Sequence, residues 1–140
     1  IDLDRFKQLN DTHGHQAGDR ALRHVARYLQ NAFESVDGTI ARFGGEEFVA
    51  VMRCRSIGEA EDVAETIRAG IAELEIPTTR DQRLRMTASI GLASSGVGAV
   101  VDLSQLTARA DRALYAAKDR GRDQVVLSER IELRVDRLID

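Results

Sequence analysis

Thr39-Ile40-Ala41-Arg42-Phe43-Gly44-Gly45-Glu46-Glu47-Phe48-Val49-Ala50-Val51-Met52 is the stretch that decides the fold class. Two β-prone runs, Thr39 to Phe43 and Glu47 to Met52, flank Gly44-Gly45. Two-residue hairpin turns of the favoured hand need positive φ, which glycine supplies without steric cost. Strands joined so tightly run antiparallel, so the sheet containing them is not all parallel. On the N-terminal side, Ile1 to Asp4 reads as a strand entered part-way along its length. From about Gln16 to Phe33 the residues Leu22, Val25, Ala26, Leu29 and Phe33 recur at helical spacing. On the C-terminal side, Ser56 reads as an N-cap, with Glu59 completing a capping box ahead of a helix through Val63, Ile67, Ile71 and Leu74. Pro77 and the polar Thr78 to Arg83 interrupt the pattern, and Leu84 to Ala93 returns as a strand. A helix from Leu103 through Leu106, Ala110, Leu114 and Ala117 ends near Gly121, before the apolar run Gln124 to Leu127. Ile131, Val135 and Leu138 predict one more helix. The expectation is an α/β domain with a mixed, mainly antiparallel central sheet flanked by helices.

Composition bounds the function. The chain has 140 residues, 20 basic against 23 acidic, 43% hydrophobic and 31% charged, with a formal charge of −3. That is enough chain for one core without a disulfide framework or structural metal. The single cysteine, Cys54, makes neither an internal disulfide nor a thiolate zinc site, which fits a reducing compartment. No apolar run approaches the roughly 18 residues that cross a bilayer, so no direct membrane insertion is expected. Near-neutral charge argues against a bulk nucleic-acid binder and leaves a mononucleotide open. Eighteen arginines stand against two lysines, Lys7 and Lys118, which makes those two the informative cations.

Chemistry-bearing residues cluster in two places. Asp2 and Asp4 share a strand face, whereas the adjacent Glu46 and Glu47 point to opposite faces, so one aspartate and one glutamate can converge. Two carboxylates and a backbone carbonyl are hard oxygen ligands suited to Mg²⁺. Taken alone, the same acids read equally as edge-protecting surface charge. The first acids do not form an EF-hand, because Phe6 and Lys7 fall on its third ligand and glycine positions. His13 and His15, with no cysteine near, do not make a zinc site. The polar stretch Phe6 to Asp19, read as a loop between strand and helix, can offer backbone N–H groups and Lys7 to phosphates. It can equally be a self-capped loop. It contains neither a P-loop nor a dinucleotide fingerprint.

Taken together, Asp2-Leu3-Asp4-Arg5-Phe6-Lys7-Gln8-Leu9-Asn10-Asp11-Thr12-His13-Gly14-His15-Gln16-Ala17-Gly18-Asp19 and Arg42-Phe43-Gly44-Gly45-Glu46-Glu47-Phe48 resemble the catalytic GGDEF domain of bacterial diguanylate cyclases. Thr87-Ala88-Ser89-Ile90-Gly91 and Ala110 to Arg122 are similar to two further motifs of that family, in the same order. The resemblance spans residue 1 to about Leu127. It implies a sheet like that of nucleotide cyclases and polymerase palms, and an enzyme that condenses two GTP into cyclic di-GMP with release of two pyrophosphates. It further implies two domains facing each other as a homodimer, and Mg²⁺ or Mn²⁺ as cofactor. By position, Asp2, the Leu3 carbonyl and Glu46 would hold the metal. Glu46 would also take the ribose 3′-hydroxyl proton, Glu47 would have a supporting metal or structural role, and Lys7 would neutralise charge on the transferring phosphoryl group. Asn10 and Asp19 would contact the base, and His15 and Phe6 would be further substrate contacts. Asp19 accepts from guanine N1–H and the 2-amino group, neither of which adenine presents. Gly44 and Gly45 would let the backbone approach the nucleotide. Lys118 and Arg122, read as one helical turn apart, would reach the β and γ phosphates.

Two departures from the family pattern carry expectations. The inhibitory Arg-x-x-Asp, five residues before the signature, is replaced by Ser35-Val36-Asp37-Gly38. The family's upstream helix and Asp-x-Leu-Thr segment are not among these 140 residues. The expected layout is therefore a domain over residues 1–127 without its N-terminal elements, and a tail over 128–140. A cytoplasmic setting is expected, with any membrane attachment left to a longer parent protein. The competing readings are a non-catalytic module that binds GTP or cyclic di-GMP, and a generic α/β interaction domain.

Overall fold

A computed structural model describes residues 1–78, 83–96 and 100–128. The element order is β1 (Asp2–Leu3), α1 (Phe6–His13), α2 (His15–Phe33), β2 (Gly38–Gly44), β3 (Glu47–Met52), α3 (Ile57–Glu73), β4 (Ile76–Pro77), β5 (Arg83–Leu84), β6 (Ala88–Leu92), α4 (Leu103–Asp119) and β7 (Val125–Leu127). A five-stranded sheet runs β2-β3-β1-β6-β7, and β4 and β5 form a separate ribbon. All pairings in the large sheet are antiparallel except β6 with β7. This is the mixed, mainly antiparallel sheet expected from the hairpin.

The two faces of the sheet are covered differently. Leu3, Phe48, Ala88 and Ile90 join Leu22, Val25 and Leu29 of α2 and Ile67 and Ile71 of α3 in one core. Gly91 faces the other way, so closely against α4 that a Cβ there would lie 2.1 Å from the Ala110 carbonyl oxygen. Two layers of helix thus sandwich the sheet at β6, and β1 sits in its middle.

Several expectations are corrected. The stretch Phe6 to Asp19 is not a loop: Phe6–His13 is helical, and α2 begins at His15. Phe6 is buried and Leu9 packs against the core, so tertiary burial fixes a short polar helix that propensity alone would not hold. Gly14, at φ 83°, separates it from α2. Leu84 to Ala93 is not one strand. Arg83–Leu84 pairs with β4, and the chain then changes partner, with the Thr87 carbonyl accepting from the Asp4 amide at 2.9 Å. In the hairpin, Gly44 is paired with Glu47 and only Gly45 has positive φ, at 53°. At α3, Ser56 Oγ accepts from the Glu59 amide at 3.2 Å as a cap should, but the Glu59 carboxylate turns back to the amide of Arg55 at 2.6 Å, not to that of Ser56. The helix predicted through Ile131, Val135 and Leu138 lies outside the described residues.

Candidate active site

The site begins where β1 crosses the hairpin. Ile1 and Phe48 exchange main-chain hydrogen bonds at 3.0 and 2.9 Å, and the Leu3 amide donates to the Glu46 carbonyl at 3.2 Å. The Asp2 Cα therefore stands opposite Glu47 on one side and Ser89 on the other. Glu46 occupies the turn itself, half-buried, while Glu47 is exposed. Arg42 braces this turn, its Nε donating to the Gly45 carbonyl at 2.9 Å.

Asp2 and Asp4 both turn toward α4 and its following loop, as residues two apart on a strand should, yet they meet different partners. Asp2 is buried and faces Lys118, with Nζ 2.8 Å from Oδ2. Asp4, equally buried, accepts from Thr87 Oγ1 and Ser89 Oγ, both at 2.7 Å, and from the Asp123 amide at 3.1 Å. Asp4 is thus a hydrogen-bonded strut, whereas Asp2, among the described residues, has Lys118 as its one ion-pair partner. The donors expected at a metal position are the Asp2 and Glu46 carboxylates and the Leu3 carbonyl. They are the hard oxygens that Mg²⁺ takes, and the Leu3 amide to Glu46 carbonyl bond sets Glu46 on the chain segment next to β1, with Glu47 directly opposite Asp2. Among the described residues, no three His, Cys, Asp or Glu side chains form a metal-holding group by themselves. Two carboxylates and a carbonyl leave the remaining positions to water and phosphate.

Lys118 and Arg122 are not neighbours on a helix. The chain leaves α4 through a Schellman turn, with the Gly121 amide on the Lys118 carbonyl at 3.4 Å and the Arg122 amide on the Ala117 carbonyl at 2.9 Å. Gly121, Arg122 and Asp123 all have positive φ, at 114°, 69° and 45°. Such strain in two non-glycine residues persists only where the surroundings hold it. Here the Asp4 carboxylate and the Arg68–Asp123 ion pair do so. Arg122 consequently lines a cleft of about 460 Å³ with Arg5, Gln8 and Thr12 of the α1 region.

The base-contact candidates gather between α1 and α2. Asn10, half-buried in the middle of α1, lies against Gly18 of α2, and its Oδ1 is buried without a hydrogen-bond partner. Phe6 forms the floor beside them. Asp19 follows Gly18 and is exposed, as are Lys7, His15, Gly44 and Gly45. Asp4 as a strut and Gly18 as the seat of Asn10 escaped the sequence reading of the site. The signal for Gly18 was present, because a glycine inside a helix costs about 1 kcal/mol and so marks a packing reason.

Fold and site together define an α/β domain in which a buried aspartate and a lysine meet at the centre of a mainly antiparallel sheet. The family model described as diguanylate cyclase, GGDEF domain, matches residues 1–124, and the chain belongs to that family. It is 40% identical over 129 residues to diguanylate cyclase A of Treponema denticola, covering 92% of this chain and 34% of that protein. It is 37% identical over 127 residues to diguanylate cyclase DosC of Escherichia coli K12, covering 91% and 27%. The chain thus spans about a third or less of the length of these relatives. Among solved structures, the GGDEF domain of DgcB from Caulobacter crescentus in complex with c-di-GMP matches with a TM-score of 0.81 at 32% identity, covering 90% of this chain and 73% of that one. The active GGEEF domain of a diguanylate cyclase from Vibrio cholerae matches with a TM-score of 0.77 at 32% identity, covering 92% and 80%.

Proposed function

We propose that this domain is a diguanylate cyclase that condenses two GTP into cyclic di-GMP and two pyrophosphates, acting as a homodimer in bacterial second-messenger signalling in the cytoplasm. Residues 1–127 carry the activity. The observation that carries the reading is the unbroken Gly44-Gly45-Glu46-Glu47-Phe48 turn, bonded through its Glu46 carbonyl to Leu3, beside buried Asp2. Bound Mg²⁺ or Mn²⁺, held by Asp2, Glu46 and the Leu3 carbonyl, would supply Lewis-acid stabilisation of phosphate charge. Glu46 receives the 3′-hydroxyl proton and Glu47 adds negative potential behind it. Lys7 opposes charge developing on the phosphoryl group, and Lys118 and Arg122 hold the outer phosphates. Asn10, Asp19, His15 and Phe6 take the base, and Gly44 and Gly45 leave room for it.

Incubation of concentrated protein with GTP and Mg²⁺, following pyrophosphate and cyclic di-GMP, tests the proposal. Turnover is expected, with loss of at least about 100-fold in Glu46→Gln, the size typical for removing a group that acts in proton transfer. Full turnover in that variant sinks the assignment of Glu46, and GTP binding without product turns the reading to a non-catalytic binding module. Since Ser35 and Gly38 stand where the inhibitory arginine and aspartate belong, no product inhibition is expected through that segment. Initial rates with added cyclic di-GMP check this, and inhibition relieved by substituting Ser35 and Gly38 contradicts it.

A further inference from the structure

We propose that Gly18 is a positioning residue for nucleobase specificity, acting through Asn10; the inference rests on the guanine-nucleotide reading above. A Cβ built on Gly18 would stand 1.9 Å from Asn10 Oδ1, 2.9 Å from Asn10 Cγ and 3.1 Å from Phe6 Cζ. The missing side chain is therefore the space that the Asn10 amide fills. Two observations make this more than close packing. Asn10 Oδ1 is buried and accepts no hydrogen bond, a state that costs about 1–3 kcal/mol unless a partner arrives. The residue after Gly18 is Asp19, an exposed carboxylate that the reading above assigns to the same base.

An acceptor from Asn10 and one from Asp19 suit a ligand edge that carries only donors. In purines that is the N1–H and 2-amino edge of guanine; hypoxanthine keeps N1–H but lacks the amine, and adenine has neither. A site built to pair with such donors discriminates strongly, because analogues lacking them leave its buried acceptors unpaired. Gly18 sets that discrimination by fixing where the Asn10 oxygen lies. An alanine there displaces the tip of a flexible side chain, which moves more cheaply than backbone, so the fold is kept while the acceptor is misplaced.

The test is calorimetric binding of GTP, ITP and ATP with Mg²⁺ to the full chain, to Gly18→Ala, to Asn10→Ala and to the double variant, with urea melts of each. The wild type is expected to prefer GTP over ITP. Gly18→Ala is expected to weaken GTP binding by about tenfold and to bring the GTP to ITP ratio close to one, with little change in ATP binding. In the Asn10→Ala background the same substitution is expected to change GTP affinity by less than about twofold, since the group it displaces is gone. If Gly18→Ala keeps the wild-type ratio, or if its effect adds fully to that of Asn10→Ala, the proposal is overturned while the guanine reading stands. Wild-type protein that binds GTP no better than ATP overturns both. Should Gly18→Ala unfold, recovery of stability in the double variant to that of Asn10→Ala identifies Asn10 as the displaced group, and no recovery overturns the proposal.

Discussion

Asp2 and Asp4 show how little residue type and spacing decide at the scale of one side chain. Both are aspartates on one strand end, and each is 7% exposed. Asp4 is satisfied by Thr87, Ser89 and Asp123, residues more than eighty positions away. Among the described residues, Asp2 meets only Lys118 at salt-bridge distance. A divalent cation seeking Asp2 in the nucleotide-free protein therefore competes with the lysine. Lys118→Met is expected to tighten Mn²⁺ binding to nucleotide-free protein by roughly twofold to fivefold, the factor that corresponds to about 0.4–1 kcal/mol for a partly exposed pair. The same substitution weakens GTP binding if Lys118 serves the phosphates. Titration of Mn²⁺ with and without GTP reads both effects, and unchanged metal affinity would show that the pair does not compete. The sequence marked Lys118 as one of two lysines, but only the fold says which carboxylate holds it.

At the scale of elements, the turn after α4 is the informative piece. Its three successive positive-φ residues are pinned by Asp4, just after β1, and from α3 by Arg68, which bridges Glu65 and Asp123. The hydrogen bond from Arg68 chiefly, with its charge behind, holds the Glu65 carboxyl below its ordinary 4.5, and Glu65 with Asp123 pushes the Arg68 guanidinium up. A carboxyl lowered in the folded state adds stability above its unfolded value and loses it as pH falls through the folded one. Wild type is thus expected to exceed Arg68→Met by about 0.5–1 kcal/mol above pH 5, allowing for solvent screening, with the margin narrowing below pH 4.5. Urea melts from pH 7 to pH 3 measure it, and a margin independent of pH would remove Glu65 from the account. The glycine that ends α4 is visible in the sequence; the sideways departure of Arg122 from the helix follows from left-handed backbone that distant residues stabilise.

For the whole molecule, the sheet order puts the shortest strand at the centre, so Asp2 and Leu3 are hydrogen-bonded from both sides. The α4 layer reaches this centre only because β6 carries glycine at position 91. Added there, a Cβ would meet backbone, at 2.1 Å from the Ala110 oxygen and 2.3 Å from the Leu114 nitrogen, and helix backbone cannot step aside as a side-chain tip can. Gly91→Ala is expected to cost about 3 kcal/mol, the upper end of ordinary overpacking. It is also expected to disturb nucleotide binding, because α4 carries Lys118. Thermal melts with and without GTP separate the two effects, and a fully stable Gly91→Ala protein would show that α4 docks more loosely than the structure has it.

The sequence by itself determined the long helices, the hairpin and its mixed sheet, the Ser56 cap, and the order of motifs that marks the family. Those rest on local physics: helical and alternating periodicity, turn chemistry and capping, each read within about ten residues. The tertiary structure alone decided that Phe6–His13 is helical, that the chain breaks between β5 and β6, and that Lys118 sits on Asp2. It alone seats Asn10 in the hollow of Gly18. Each of these depends on burial or hydrogen bonding imposed by another element, which no local pattern encodes.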